Sequence, residues 1–183
     1  MRKFNQLLVL SCAAVTFAGC ATSSGTSASD SKSTAQNTSF FENQSLENSA
    51  EDILNKYYPK GNFSTVAYDD NVLLLGQIPT QADKDDATVR VKALPKVANV
   101  WNYLEVGKNE GIGQATTDSY LTTAAKSRLV AQKGVNTDSV KVVTENGTVY
   151  LLGKNAGNSI QVNGAVDGIK SIDGVKDVVN LIN

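Results

Sequence analysis

The chain has no histidine in its 183 residues. That removes His-based general acid–base catalysis, Ser–His and Cys–His nucleophile pairs, and every imidazole metal ligand. Cysteine is limited to Cys12 and Cys20, too few for a thiolate zinc or iron–sulfur site. Charge of one sign is also missing. Lys plus Arg is 17 against 18 Asp plus Glu, a net charge of −1, so no broad basic footprint for nucleic acid exists. No metal, no cofactor and no nucleic-acid partner are expected, and the inventory leans away from an enzyme.

What is present begins with an address. Arg2 and Lys3 precede an apolar run from Leu7 to Ala18, and small residues then lead to Cys20. This is the layout of a secretory signal, with an apolar stretch too short to span a bilayer comfortably. The ending Phe17-Ala18-Gly19-Cys20 resembles the bacterial lipoprotein box. The resemblance implies removal of residues 1–19 and lipidation of Cys20. Ala21, rather than Asp, follows the cysteine, which in that class favours the outer membrane. The expected mature chain then carries 15 basic and 18 acidic residues.

From Ala21 to Ser39, 11 of 19 residues are Ser or Thr. Such a stretch buries too little to offset its ordering entropy, so residues 20–45 are expected to be a disordered tether. Phe40 and Phe41 interrupt it, and docking on the first domain or contact with the membrane are both open to them.

The remainder is an internal repeat. Val72-Leu73-Leu74-Leu75-Gly76 matches Val149-Tyr150-Leu151-Leu152-Gly153, and the block Leu94 to Asn102 matches Ile172 to Asn180. Each copy reads helix, strand, strand, helix, strand, an α+β unit with helices on one face of a small three-stranded mixed sheet. In copy one, Ala50 to Tyr58 is a short helix stopped by Pro59. Ser64–Tyr68 and Val72–Ile78 form a hairpin through Asp69-Asp70-Asn71. Pro79-Thr80 opens a helix with Asp83 at the capping-box position, and Val97 to Val106 is the last strand. In copy two, Asp118 or Ser119 caps a helix to about Gln132, with Gly134 beyond it. Asn146-Gly147 turns a hairpin, and Val162, Ala165, Val166 and Ile169 mark the second helix. Gly157, Gly164 and Gly168 weaken that second helix, which is expected to be short or frayed. The expected division is 1–19 signal, 20–45 tether, 46–109 first domain, 110–116 linker and 117–183 second domain.

The run Thr144 to Gly153 followed by Ile172 to Asn180 resembles a BON domain, and the whole chain resembles the outer-membrane lipoproteins that carry two of them. The resemblance implies a non-enzymatic protein facing the periplasm, with anionic phospholipid bound by the first helix of the second domain, in support of envelope integrity. In that family an aromatic near the helix start enters the bilayer. Tyr120 stands here where the family carries Trp, and Ala124 where it carries Lys. The phospholipid-binding set this implies is Tyr120, Leu121, Ala124, Lys126, Arg128 and Lys133.

The residues permit it. Leu121, Ala125 and Leu129 form a core-facing stripe, with Tyr120 and Ala124 on the adjoining line. Tyrosine suits a membrane interface, and between Tyr120 and Lys133 there are three bases and no acid. The competing function is a protein-interaction adaptor for an envelope or division-associated partner, without lipid recognition. Asp69-Asp70, the acids from Asp83 to Asp86 and Gly111-Ile112-Gly113 read as turn, helix start and linker rather than as calcium, catalytic or nucleotide sites. Trp101 and Tyr103 share a strand face suited to the interface between the copies.

Overall fold

The computed structural model describes residues 30–107 and 115–183, with side chains for residues 40–107 and 117–183. Cys20, the signal segment, most of Gly107 to Asp118 with Gly111-Ile112-Gly113, and the first part of the tether lie outside the described residues.

Copy one comprises α1 (Asp30–Tyr57), β1 (Asn62–Tyr68), β2 (Asn71–Ile78), α2 (Gln81–Lys92), β3 (Asn99–Asn102) and β4 (Glu105–Val106). Copy two comprises α3 (Ala115–Ala131), a 3-10 turn (Thr137–Ser139), β5 (Val140–Glu145), β6 (Thr148–Gly153), α4 (Ser159–Lys170) and β7 (Asp177–Ile182). In both, a hairpin pairs antiparallel and the last strand returns parallel beside the second hairpin strand. The α+β helix–strand–strand–helix–strand order is the one expected.

Local chemistry sets the turns. Asn146 and Gly147 both take positive φ (51° and 79°), the left-handed pair that a two-residue hairpin needs. Copy one makes the same turn with Asp69 and Asp70 (49° and 63°), steadied by Asn71, whose side-chain amide donates to the carbonyls of Tyr68 and Asp69. The Thr80 hydroxyl accepts from the Asp83 N–H at 3.1 Å and donates to its carboxylate at 2.7 Å.

Three expectations are corrected. The first helix begins at Asp30, so residues 30–45, expected in the tether, are helical. Once Leu46, Ala50 and Leu54 dock on the sheet, the helix has its nucleus, and each further residue adds a hydrogen bond at small cost even for Ser and Thr. The glycine-bearing helix is neither short nor frayed: α4 has 12 residues, as α2 has. Its start is closed by a reciprocal cap between Asn158 and Gln161, and Gly157 lies outside it. Gly164 faces Gln132, and a Cβ there would sit 2.9 Å from the end of that flexible side chain, which can move aside. The last strand of copy one, expected to be continuous, breaks at Tyr103-Leu104. Leu104 turns into the core there while Asn102 accepts its N–H at 3.1 Å.

The core has three compartments. Ala50, Leu54, Val72, Leu74, Ala87 and Val91 join α1 and α2 to one face of the first sheet. Ala125, Leu129, Val149, Leu151, Ala165 and Ile169 do the same for α3 and α4 on the second. A third cluster, Val66, Leu73, Leu75, Tyr150 and Leu152 with Trp101 and Val179 beside it, joins the two sheets by their remaining faces. The layers are therefore helices, sheet, sheet, helices. This explains why β2 and β6 read as unbroken apolar runs: strands covered on both faces need no polar alternation. Trp101 packs at this interface, and the Tyr103 and Tyr150 rings meet edge to face at 5.2 Å.

Candidate functional site

The first helix of copy two is held by its buried stripe. Leu121, Ala125 and Leu129 recur at four-residue spacing and are sealed against the sheet. Asp118 fixes the start of the helix, but not as its cap. Its carboxylate accepts the backbone N–H groups of Asn146 at 2.9 Å and Gly147 at 2.8 Å, tying α3 to the β5–β6 hairpin. The Thr122 hydroxyl adds a bond to Thr144 at 2.8 Å.

The six residues named from the resemblance separate into groups. Tyr120 is 66% exposed. Ala124 and Arg128 follow it at four-residue steps, half-buried and exposed respectively, and continue its line along the helix. Leu121 is only 1% exposed, so it is a core residue and makes no contact at the surface. That follows from its place in the stripe with Ala125 and Leu129. Lys126 is exposed but lies about 120° round the helix from Tyr120. It lines a cavity of about 400 Å³ shared with Phe40, Glu47 and Tyr68 of copy one and Val140 and Lys141 of β5. Lys133 is exposed just beyond the helix end.

Sequence reasoning missed Val130, which is 70% exposed on the same side as Lys126, one turn on. Its signal was available: a branched apolar residue off the buried stripe of an otherwise polar helix face. Tyr120 and Val130 thus bracket the outward side of α3 with apolar ends, and Lys126 and Arg128 stand on its two flanks.

The junction between copies is polar at its rim. The Tyr68 hydroxyl donates to the Ser139 carbonyl at 2.8 Å, and Lys154 pairs with Asp69 at 2.9 Å. Glu47 of α1 accepts both the Ala67 N–H of β1, at 2.8 Å, and the Lys141 ammonium of β5. One carboxylate thereby bridges the outer strands of the two sheets. Glu145 is held above the ordinary carboxylate range by burial first, then by the charges of Asp118 and Glu105. Burial also pushes the Tyr150 hydroxyl up to about 12.

The other acidic candidates have structural employment. Asp69 and Asp70 are the β1–β2 turn, Asp83 caps α2, and Asp86 accepts from the Tyr58 hydroxyl at 2.7 Å and from Arg90 at 2.6 Å. Among the described residues no cluster of three or more Asp, Glu or Cys side chains is placed to hold a metal, and no helix is long and apolar enough to cross a membrane.

A duplicated α+β unit of helix, hairpin, helix and parallel strand is the class this fold defines. The BON domain family model matches residues 44–108 and 117–183, and the chain belongs to that family. It is 40% identical over 122 residues to Outer membrane lipoprotein DolP of Haemophilus influenzae, covering 67% of this chain and 62% of that one. It is 38% identical over 120 residues to the 21 kDa hemolysin of Actinobacillus pleuropneumoniae, covering 66% and 61%. The match thus spans about three-fifths of each relative's length. Among solved structures, CdsD, a structural protein of the type III secretion system of Chlamydia trachomatis, is similar at a TM-score of 0.31 and 16% identity, over 73% of this chain and 88% of that one.

Proposed function

We propose that this chain is an outer membrane lipoprotein, anchored through Cys20 on the periplasmic side, whose α3 helix binds anionic phospholipid and so supports envelope integrity. The reading is non-catalytic. The name of the Haemophilus influenzae relative, an outer membrane lipoprotein, supports the location, and the lipobox-like ending at Cys20 supports the anchor.

The observation that carries the lipid reading is Tyr120, largely exposed on a helix whose core stripe is already sealed without it. A tyrosine ring places its apolar body among acyl chains and its hydroxyl among headgroups. Arg128 lies on the same line, Lys126 and Lys133 lie nearby in sequence, and no acid interrupts the segment from Tyr120 to Lys133. Each base near an anionic surface contributes about 1 kcal/mol, so the contact is weak alone. An acyl anchor raises its effective concentration and makes it useful.

Vesicle flotation of the chain from Ala21, which lacks the lipidated cysteine but keeps every described residue, tests this reading. The expected result is flotation with anionic vesicles, little with neutral ones, weakening with salt, and lost on Tyr120→Glu. A wild-type chain that floats with neither would overturn lipid recognition by α3 and direct the search to a protein partner.

A further inference from the structure

We infer that the membrane-contacting face is composite, and that Phe40 and Phe41 of α1 enter the same bilayer as the α3 side chains. The inference rests on the reading of the chain as a membrane-anchored protein, but it concerns a different element in the other copy.

Phe40 and Phe41 are 63% and 68% exposed, with rings edge to face at 5.8 Å. They do not dock on the first domain, although apolar ground lies beside them. Phe41 rims a groove of about 520 Å³ floored by Leu46, Leu94 and Pro95. Phe40 rims the groove on the opposite flank of α1, and the far wall of that groove is Lys126 of α3. Lys126 and Val130 are one turn apart. The fold therefore brings Phe40 and a lysine with no ion pair among the described residues to one groove, at the edge where α1 and α3 flank the two outer strands, with Phe41 beside the first and Val130 one turn beyond the second. Two adjacent phenylalanines held in water on a folded helix are an apolar patch that a covering surface would remove.

The chain's own attachment says what that surface is. Nine residues lie between Cys20 and the first residue of α1, and the ten residue steps they make reach at most about 35 Å when extended. The phenylalanines follow about 15 Å along the helix. A bilayer holding the Cys20 acyl chains is thus a surface the pair meets at high effective concentration. Nearby charge does not oppose it strongly. Glu42 pairs with Lys96, Glu47 with Lys141 and Asp69 with Lys154, leaving Asp70 and Asp138 at the end of the groove toward the β1–β2 turn. The contribution of α1 is accordingly apolar, whereas that of α3 is partly cationic.

The chain from Ala21 contains no cysteine, so single cysteines introduced one at a time as Phe40→Cys, Phe41→Cys, Tyr120→Cys and Val89→Cys take an environment-sensitive fluorophore cleanly. The vesicles carry anionic phospholipid with spin-labelled lipid as quencher. The expected result is a blue shift and quenching at 40, 41 and 120, and neither at 89 on α2. A response at 120 with silence at 40 and 41 overturns the composite face and leaves the α3 reading intact. A response at 40 and 41 with silence at 120 overturns both the α3 reading and the composite face, leaving α1 as the contact. Silence at every position overturns both. In parallel, the double variant Phe40→Ser/Phe41→Ser is expected to lower vesicle affinity by about tenfold or more while the salt dependence is unchanged. Both rings are exposed, so its unfolding midpoint should match the wild type's, and unchanged affinity would sink the proposal.

Discussion

The two copies share a core and differ in what they show to solvent. Setting Ala50 and Leu54 of α1 on Ala125 and Leu129 of α3 aligns the two first helices, and both pairs are buried. At the positions where α3 carries Tyr120, Arg128 and Val130, α1 then carries Ser45, Ile53 and Asn55. Where α3 has Asp118 clamped on its hairpin, α1 has Asn43, which sits beside Asp69 and Asp70 of its own hairpin. Copy one, residues 46–109, holds 7 bases and 9 acids, and copy two, residues 110–183, holds 7 of each. The lesson is that duplication kept the packing and released the surface, so differences in function between the copies are to be sought in residues the core does not need.

The sharpest way to break this comparison is to damage equivalent core positions. Leu74→Ala and Leu151→Ala should each cost about 2–5 kcal/mol. Because the sheets share one apolar cluster, urea unfolding followed by near-ultraviolet dichroism and by fluorescence should give a single transition in both variants. Two separate transitions would make the copies independent. Next in size is Asp118→Ala, which leaves two hairpin N–H groups without their partner and should destabilise by about 1.5–3 kcal/mol. Asn43→Ala should do far less, and equal losses on chemical denaturation would remove the asymmetry.

Titration separates the copies further. Glu145 of copy two has a raised carboxyl pKa, so its contribution to stability is complete below the ordinary Glu range and is lost as pH rises through the raised value. Asp86 of copy one is lowered by the Tyr58 hydroxyl and by Arg90, so its contribution is present above the ordinary Asp range and lost as pH falls through the lowered value. Glu145→Gln should therefore raise the melting temperature at neutral pH and flatten its rise on mild acidification. Asp86→Asn should lower it at neutral pH. Melting curves from pH 4 to 8 that move the same way for both would contradict the assignment. The smallest effect expected lies within α4. Gly168→Ala meets open space and should stabilise by up to about 1 kcal/mol, and Gly164→Ala, which must push aside the end of the Gln132 side chain, should stabilise by less.

How much of this the sequence disclosed depended on the range of the cause. The hairpin at Asn146-Gly147, the Thr80–Asp83 cap and the Leu121–Ala125–Leu129 stripe are set by neighbours within a few residues, and all were legible. The length of α1 was not, because its Ser- and Thr-rich half is helical by extension from a docked nucleus rather than by its own composition. The strength of α4 was hidden because its glycines are outweighed by the Asn158–Gln161 cap and by the burial of Val162, Ala165 and Ile169, which only the packed sheet supplies. At the candidate site, the exposure of Tyr120 and the burial of Leu121 followed from helical spacing. That Lys126 faces α1 did not, because nothing near it in sequence reports what lies across the groove. Face-to-face sheets had a signal that went unused: four consecutive apolar residues at Val72 and again at Val149.

Glu47 carries a consequence for the chain's life as a unit. With one carboxylate spanning both outer strands, and with each sheet serving as the other's lid, neither half is a finished object. A copy cut free would show a bare face of Leu73, Leu75 and Trp101, or of Tyr150 and Leu152, which is an ingredient of aggregation. In gene fusions, truncations and protease maps, the indivisible part is the pair.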